Sequence, residues 1–119
     1  MAYVDGFIVP VPKNNIKEYI KLAENAGKIW MDHGALEYKE CQAEDVEDKG
    51  FCMTFPNGLQ GVEDNEVIFI SYIVFKSRKH RDEVNKKVME DERLQCETEK
   101  MPFECKRMTY GGFEAKVDF

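Results

Sequence analysis

The chain opens on a run of apolar, largely β-branched and aromatic residues, Tyr3 to Val11 (Y-V-D-G-F-I-V-P-V), which predicts a strand. Pro10 sets its last part at a sheet edge or past the pairing, because proline cannot donate to a ladder. Pro12, Lys13 and Asn14 turn the chain. Asn15 followed by Glu18 resembles a capping box at the start of a helix. Beyond it Ile16, Tyr19, Ile20, Ala23, Ala26 and Trp30 recur at helical spacing, while Lys17, Lys21, Glu24, Asn25 and Lys28 fall on the other side. That pattern predicts an amphipathic helix of about five turns. It ends at His33, with Gly34 as the residue after the cap.

Ala35 to Ala43 reads as a second, weaker strand, interrupted by Glu37, Lys39 and Glu40. Glu44 to Asn65 carries Gly50, Pro56, Asn57, Gly58 and Gly61, which makes it a long excursion with a hairpin extension expected around Phe51 to Phe55. Val67 to Phe75 (V-I-F-I-S-Y-I-V-F) is the strongest strand. Ser77 can cap a second helix from Arg78 to about Glu90, with Val84, Val88 and Met89 as its sparse apolar positions, and Asp91 to Gln95 adds one turn. Arg107 to Lys116 closes as a strand, with a bulge expected at Gly111-Gly112.

The order β-α-β-β-α-β predicts an α+β protein of ferredoxin-like βαββαβ pattern: one domain over 1–119, a four-stranded antiparallel sheet with two helices on one face. Val67, Phe69, Ile73 and Phe75 lie on one face of the third strand, and Ile68, Ile70, Tyr72 and Val74 on the other. A sheet with one wet face should alternate apolar and polar residues, and this strand is apolar on both. Two helices cover one face only. The simplest cover for the second is the sheet of another copy, so a homodimer is expected.

Composition narrows the partners more than the chemistry. With 43% hydrophobic and 12% aromatic residues, the chain of 119 residues has too much apolar content for a disordered tail. No apolar run approaches the ~18 residues of a membrane span. No basic stretch leads into an apolar one at the start, so a cytoplasmic protein without a secretory signal is expected. The net charge is −6, and Glu40 to Glu66 alone, with eight acids and Lys49, carries −7. Nucleic acid and anionic membranes are therefore not expected as partners. Cys41, Cys52, Cys96 and Cys105 include no C-x-x-C pair, and His33 and His80 are the only histidines. Four reduced thiols are expected, with no metal site and no cofactor.

Several residues are candidates for chemistry. Asp5 interrupts the first strand, and in this topology Lys106 or Arg107 on the neighbouring last strand would reach it; such a pair either holds a ligand anion or is a structural ion pair. His33 beside Trp30 at a helix C-terminus is either a proton carrier at a pocket mouth or a partner of the last carbonyls. Tyr72 and Tyr110 either orient a ligand or fill a core or interface. Lys76, Arg78, Lys79, His80 and Arg81 form either an anion site or a solvated basic face. The leading expectation is a pocket between helices and sheet for a small, largely apolar molecule. Trp30, His33, Tyr72 and Tyr110 would line it, with Asp5 and Arg107 as further ligand contacts. If catalytic, it would use cofactor-free acid–base chemistry through His33 and Tyr110. The alternative is a non-catalytic interaction module built on the acidic stretch.

Tyr3-Val4-Asp5-Gly6-Phe7, Gly34-Ala35, Met101-Pro102-Phe103 and Lys106-Arg107-Met108-Thr109-Tyr110-Gly111-Gly112-Phe113 resemble the YbaA-like family of uncharacterised bacterial proteins, domain of unknown function 1428. The Asp82 region and Val117-Asp118 are also similar, so the resemblance covers nearly the whole chain. It implies the dimeric α+β barrel superfamily, whose members range from monooxygenases and isomerases to haem enzymes and plain binding proteins. It assigns no catalytic residue. Cys105, where glycine is common, and Phe51-Cys52-Met53 depart from the family pattern.

Overall fold

The computed structural model describes residues 1–95 and 102–119. Cys96 and Met101, named above for a thiol and for the family motif, lie outside the described residues. The elements run β1 (Tyr3–Pro12), α1 (Ile16–Asp32), β2 (Glu37–Gln42), β3 (Glu66–Phe75), α2 (Arg78–Met89), a short α3 (Glu92–Gln95) and β4 (Thr109–Glu114). They form an α+β fold around one four-stranded sheet of order β2-β3-β1-β4, every neighbouring pair antiparallel. Among the described residues no helix is long and apolar enough to cross a membrane.

Register decides which side chains meet the helices. Asp5 lies opposite Ile73, Phe7 opposite Ser71 and Val9 opposite Phe69, so these six share one face with Tyr3, Val11 and Phe75. Both helices pack there. Tyr19 and Ala23 of α1 close one core cluster over Val9, Val11 and Phe69. Ile29 of α1 with Val84 and Val88 of α2 closes another over Ile73 and Phe75. The opposite face carries Val4, Ile8, Ile70, Tyr72, Val74 and Phe113, of which Ile70 is 39% and Phe113 60% exposed. The chain is flat, 40 × 39 × 20 Å.

The helix limits follow from their ends. Gly34, at φ +110°, takes the left-handed turn after α1, where His33 N–H reaches back to the Ile29 and Trp30 carbonyls. Ser77 caps α2, its hydroxyl accepting from His80 N–H at 3.1 Å.

Four local expectations are corrected. Asn15 does not cap α1: a 3-10 turn over Lys13–Asn15 leads into the helix, and Asn15 Nδ2 donates instead to the Pro102 carbonyl at 3.0 Å. No strand forms between 43 and 65, so the hairpin around Phe51 to Phe55 is absent, and turns occupy 55–58. Arg107 belongs to a 3-10 turn (Cys105–Arg107) ahead of β4, not to the strand. Gly111 and Gly112 pair regularly with Gly6 and Asp5, without a bulge. Their smallness answers to neighbours: a Cβ on Gly112 would come within 2.5 Å of the Tyr3 hydroxyl, and Phe113 lies beside Gly111.

Candidate functional site

Between the two core clusters the described residues do not fill the helix-covered face. Small residues in the middle of α1, Ala23 and Ala26, leave a cavity of about 440 Å³ above Phe7, Val9, Ser71 and Ile73. Trp30 and Tyr38 close one end, and Phe103, Cys105 and Met108 the other. Apart from Asn25 and Arg93, the wall is apolar except at one place. Glu40, on the inward face of β2 two residues after Tyr38, accepts a hydrogen bond from Tyr19 Oη at Oε1 and from Tyr38 Oη at Oε2, both 2.8 Å. Ser71 also hydrogen-bonds this carboxyl.

The electrostatics of this trio are opposed. Burial pushes the Glu40 carboxyl above its ordinary value, while the bonds from Tyr19, Tyr38 and Ser71 pull it down; burial prevails. Both phenols are driven far above their usual range, first by burial and then by the Glu40 charge. Each therefore stays protonated and acts as a fixed donor. Tyr38 is held there by close packing, since a Cβ on Gly27 of α1 would lie 2.9 Å from its ring.

A second polar chain supports the cavity from behind. Trp30 Nε1 donates to Asn85 Oδ1 at 2.9 Å, and Asn85 Nδ2 donates to Asp5 Oδ2 at 3.3 Å. Arg81 Nη1 completes it on Asp5 Oδ1 at 2.7 Å, with its guanidinium 4.8 Å above the Tyr3 ring. Asp5 thus meets Arg81 and Asn85 of α2 rather than Lys106 or Arg107. Its side chain points to the helix-covered face, and Arg107 precedes the strand on which it was expected. Arg107 instead forks onto Glu66 and the Gly61 carbonyl, bracing the end of the acidic excursion. Its bonds hold the Glu66 carboxyl below the ordinary range despite burial.

Of the expected lining residues only Trp30 reaches the cavity wall. His33 lies beyond the end of α1, its Nε2 2.7 Å from Asp91 Oδ2. Arg93 and then His33 hold that carboxyl well below its ordinary value, and Arg93 joins it to Asp32. Tyr72 is on the opposite sheet face, its hydroxyl 3.4 Å from Glu37. Tyr110 shares the helix side but sits on the outer strand, stacked on Phe7 and 71% exposed. Sequence reasoning missed Glu40, counting it with the acidic stretch. The usable signal was the period of two in β2: Tyr38 marks the inward face, and Glu40 shares it. Arg81 likewise leaves the basic cluster for Asp5. Among the described residues no three His, Cys, Asp or Glu side chains group as a metal site would require.

Comparison with known proteins agrees with this chain-long pattern. Residues 2–105 match the family model described as a protein of unknown function, DUF1428. The chain is 42% identical over 118 residues, 99% of its own length and 99% of theirs, to the uncharacterized protein YbaA of Escherichia coli K12 and to that of Shigella flexneri. The protein therefore belongs to the DUF1428 family, together with YbaA.

Proposed function

We propose that the protein is a cytoplasmic homodimer of ferredoxin-like protomers, a dimeric α+β barrel, that binds a small and largely apolar molecule beneath α1. The cavity of about 440 Å³ carries this reading, because it has the size of small-molecule pockets and combines a largely apolar wall with the polar centre at Glu40. Where chemistry accompanies binding, Glu40 is placed to carry a proton there; His33 and Tyr110 stand outside the wall.

The sheet order β4-β1-β3-β2 with βαββαβ connectivity supports the ferredoxin-like assignment. The dimer rests on the second sheet face. A 20 Å thickness accommodates one sheet and one helix layer, and the radius of gyration of 15.3 Å exceeds the roughly 13.5 Å of a compact chain this long. Four strands of these lengths present roughly 500–600 Å² per protomer, or about 1,000–1,200 Å² in total. That meets the roughly 1,000 Å² a specific interface requires.

Native mass spectrometry of freshly purified protein tests both parts. The expected result is a dimer with a releasable small mass, and Ile70→Arg should yield a monomer. A monomeric unaltered protein would overturn the barrel. A dimer with nothing bound, whose Trp30 emission ignores a panel of small apolar compounds, would overturn the pocket.

One observation favours a second reading. Phe51 is 92% exposed beside the acidic residues Glu44, Asp45, Glu47 and Asp48, as suits an arm that meets a basic partner. Such a complex should weaken steeply with salt and vanish when Asp45–Asp64 is deleted. A complex that survived the deletion would sink it.

A further inference from the structure

Among the described residues, the hydroxyls that meet Glu40 are already engaged. Tyr19 and Tyr38 each have one hydroxyl hydrogen and give it to Glu40, and Ser71 bonds the same carboxyl. The Trp30 indole N–H is turned away to Asn85. At the rim Arg93 gives three of its N–H groups to Asp91 and Asp32. What remains at the polar centre itself are the spare lone pairs of the Glu40 carboxylate and of the two phenols, set among aromatic rings.

An acceptor-only centre discriminates by chemistry. A carboxylic acid or phosphate would bring like charge against Glu40. A ketone or ester seated at that centre would meet only acceptors, and burying its oxygen unpaired is unfavourable. An alcohol can donate one hydrogen but brings no charge. An ammonium donates up to three hydrogens, neutralises a carboxylate that burial disfavours, and gains from the faces of Trp30, Tyr19 and Tyr38.

We infer that the cavity selects a small apolar amine, its ammonium seated on Glu40 between Tyr19 and Tyr38 and its hydrocarbon part lying along Phe7, Trp30 and Ile73. This rests on the cavity being a ligand site, and it adds the class of ligand. Glu40 is the specificity-determining residue, and the two phenols are positioning residues that aim its oxygens.

The test is a titration of the intact protein at physiological salt with 2-phenylethylamine, 2-phenylethanol and 3-phenylpropionate. Binding is read by calorimetry and by the emission of Trp30, the single tryptophan of the chain. The amine should bind at least ten-fold more tightly than the alcohol, and the acid more weakly than either. Glu40→Gln should bring the amine to within about three-fold of the alcohol, both measured in that variant. Tyr38→Phe, which keeps the carboxylate, should retain the amine preference.

Alcohol or acid binding as tightly as amine would overturn the amine inference and leave the pocket standing. Silence from all three compounds would overturn the pocket itself. An amine preference that persists in Glu40→Gln, or is lost in Tyr38→Phe, would overturn the role of Glu40. The three-ligand comparison uses unaltered protein, so it decides the ligand class whether or not either variant folds.

Discussion

Removing the Asp5 side chain should destabilise the fold more than any other single polar truncation on the sheet. Asp5 is 5% exposed in a central strand, flanked across the ladders by Ile73 and Gly112. It receives Arg81 at 2.7 Å and Asn85 at 3.3 Å. Asp5→Ala leaves a guanidinium and an amide facing a void. Breaking a buried ion pair from one side costs about 3–5 kcal/mol. Arg81 keeps a second partner in Asp82 at 2.8 Å, and 19% of its side chain remains exposed, which offsets part of that loss. The expected destabilisation is therefore about 2–3 kcal/mol. With an unfolding entropy of roughly 0.25 kcal/mol/K for a chain this long, Tm should fall by roughly 8–12 °C. The assay is denaturant unfolding followed by Trp30 emission at fixed protein concentration, because dimerisation would add to apparent stability. Asp5→Ala, Arg81→Ala and the double variant close a cycle whose coupling should exceed about 1 kcal/mol. An Asp5→Ala loss below about 0.5 kcal/mol, or a coupling near zero, would refute the pair as the tie between β1 and α2.

Gly27→Ala places a methyl 2.9 Å from the Tyr38 ring, so a loss of about 1–3 kcal/mol is expected, together with a shift in Trp30 emission, since the two rings are neighbours. Calorimetry and fluorescence read the two effects. The folded Glu40 carboxyl is raised above 4.5, so the unfolded chain gives up its proton first. The stability linked to Glu40 is then fully present below 4.5 and is lost as pH rises through the folded value. Glu40→Gln should remove that decline in pH-dependent melting curves. Glu66 has the opposite sign: its folded carboxyl is lowered, so the stability it supplies is present above 4.5 and lost as pH falls through the folded value. Glu66→Gln should flatten the acid side of the same curves.

The elements were legible where one physical signal dominated. Nine consecutive strand-forming residues from Val67 to Phe75, Gly34 after the first helix and Ser77 before the second each dictate a local geometry that no tertiary contact overrides. The failures occurred where tertiary contact chose between local options. Asn15 had a suitable spacing to Glu18, but its amide is claimed by the Pro102 carbonyl, 87 residues away. Ile29, fully buried, falls outside the apolar series read from Ile16 to Trp30 because α1 meets α2 as well as the sheet near its end. Gly111-Gly112 reads as a bulge until the Tyr3 ring is seen against Gly112. The site was least legible. Local sequence ranks a charged residue in a weak strand as solvent-facing, whereas the register of β2 against β3 sets Glu40 opposite Ser71 on the face that Tyr38 marks as inward.

That inward turn raises the question of why the centre of α1 is so small. Close-packed interiors contain few voids larger than a water molecule, and empty apolar volume destabilises. A helix selected for stability alone would carry larger residues where Ala23 and Ala26 overlook the cavity. The smallness is better explained by the space it keeps. Ala26→Leu separates the two requirements, since three further buried carbons contribute up to about 2 kcal/mol if they fit the cavity without strain. Melting temperature should stay level or rise, while the Trp30 response to 2-phenylethylamine disappears. A variant that is less stable and still binds would show that the space over Ser71 and Ile73 is not where the ligand lies. A variant that is more stable and no longer binds would identify the small residues of α1 as a concession of stability to function.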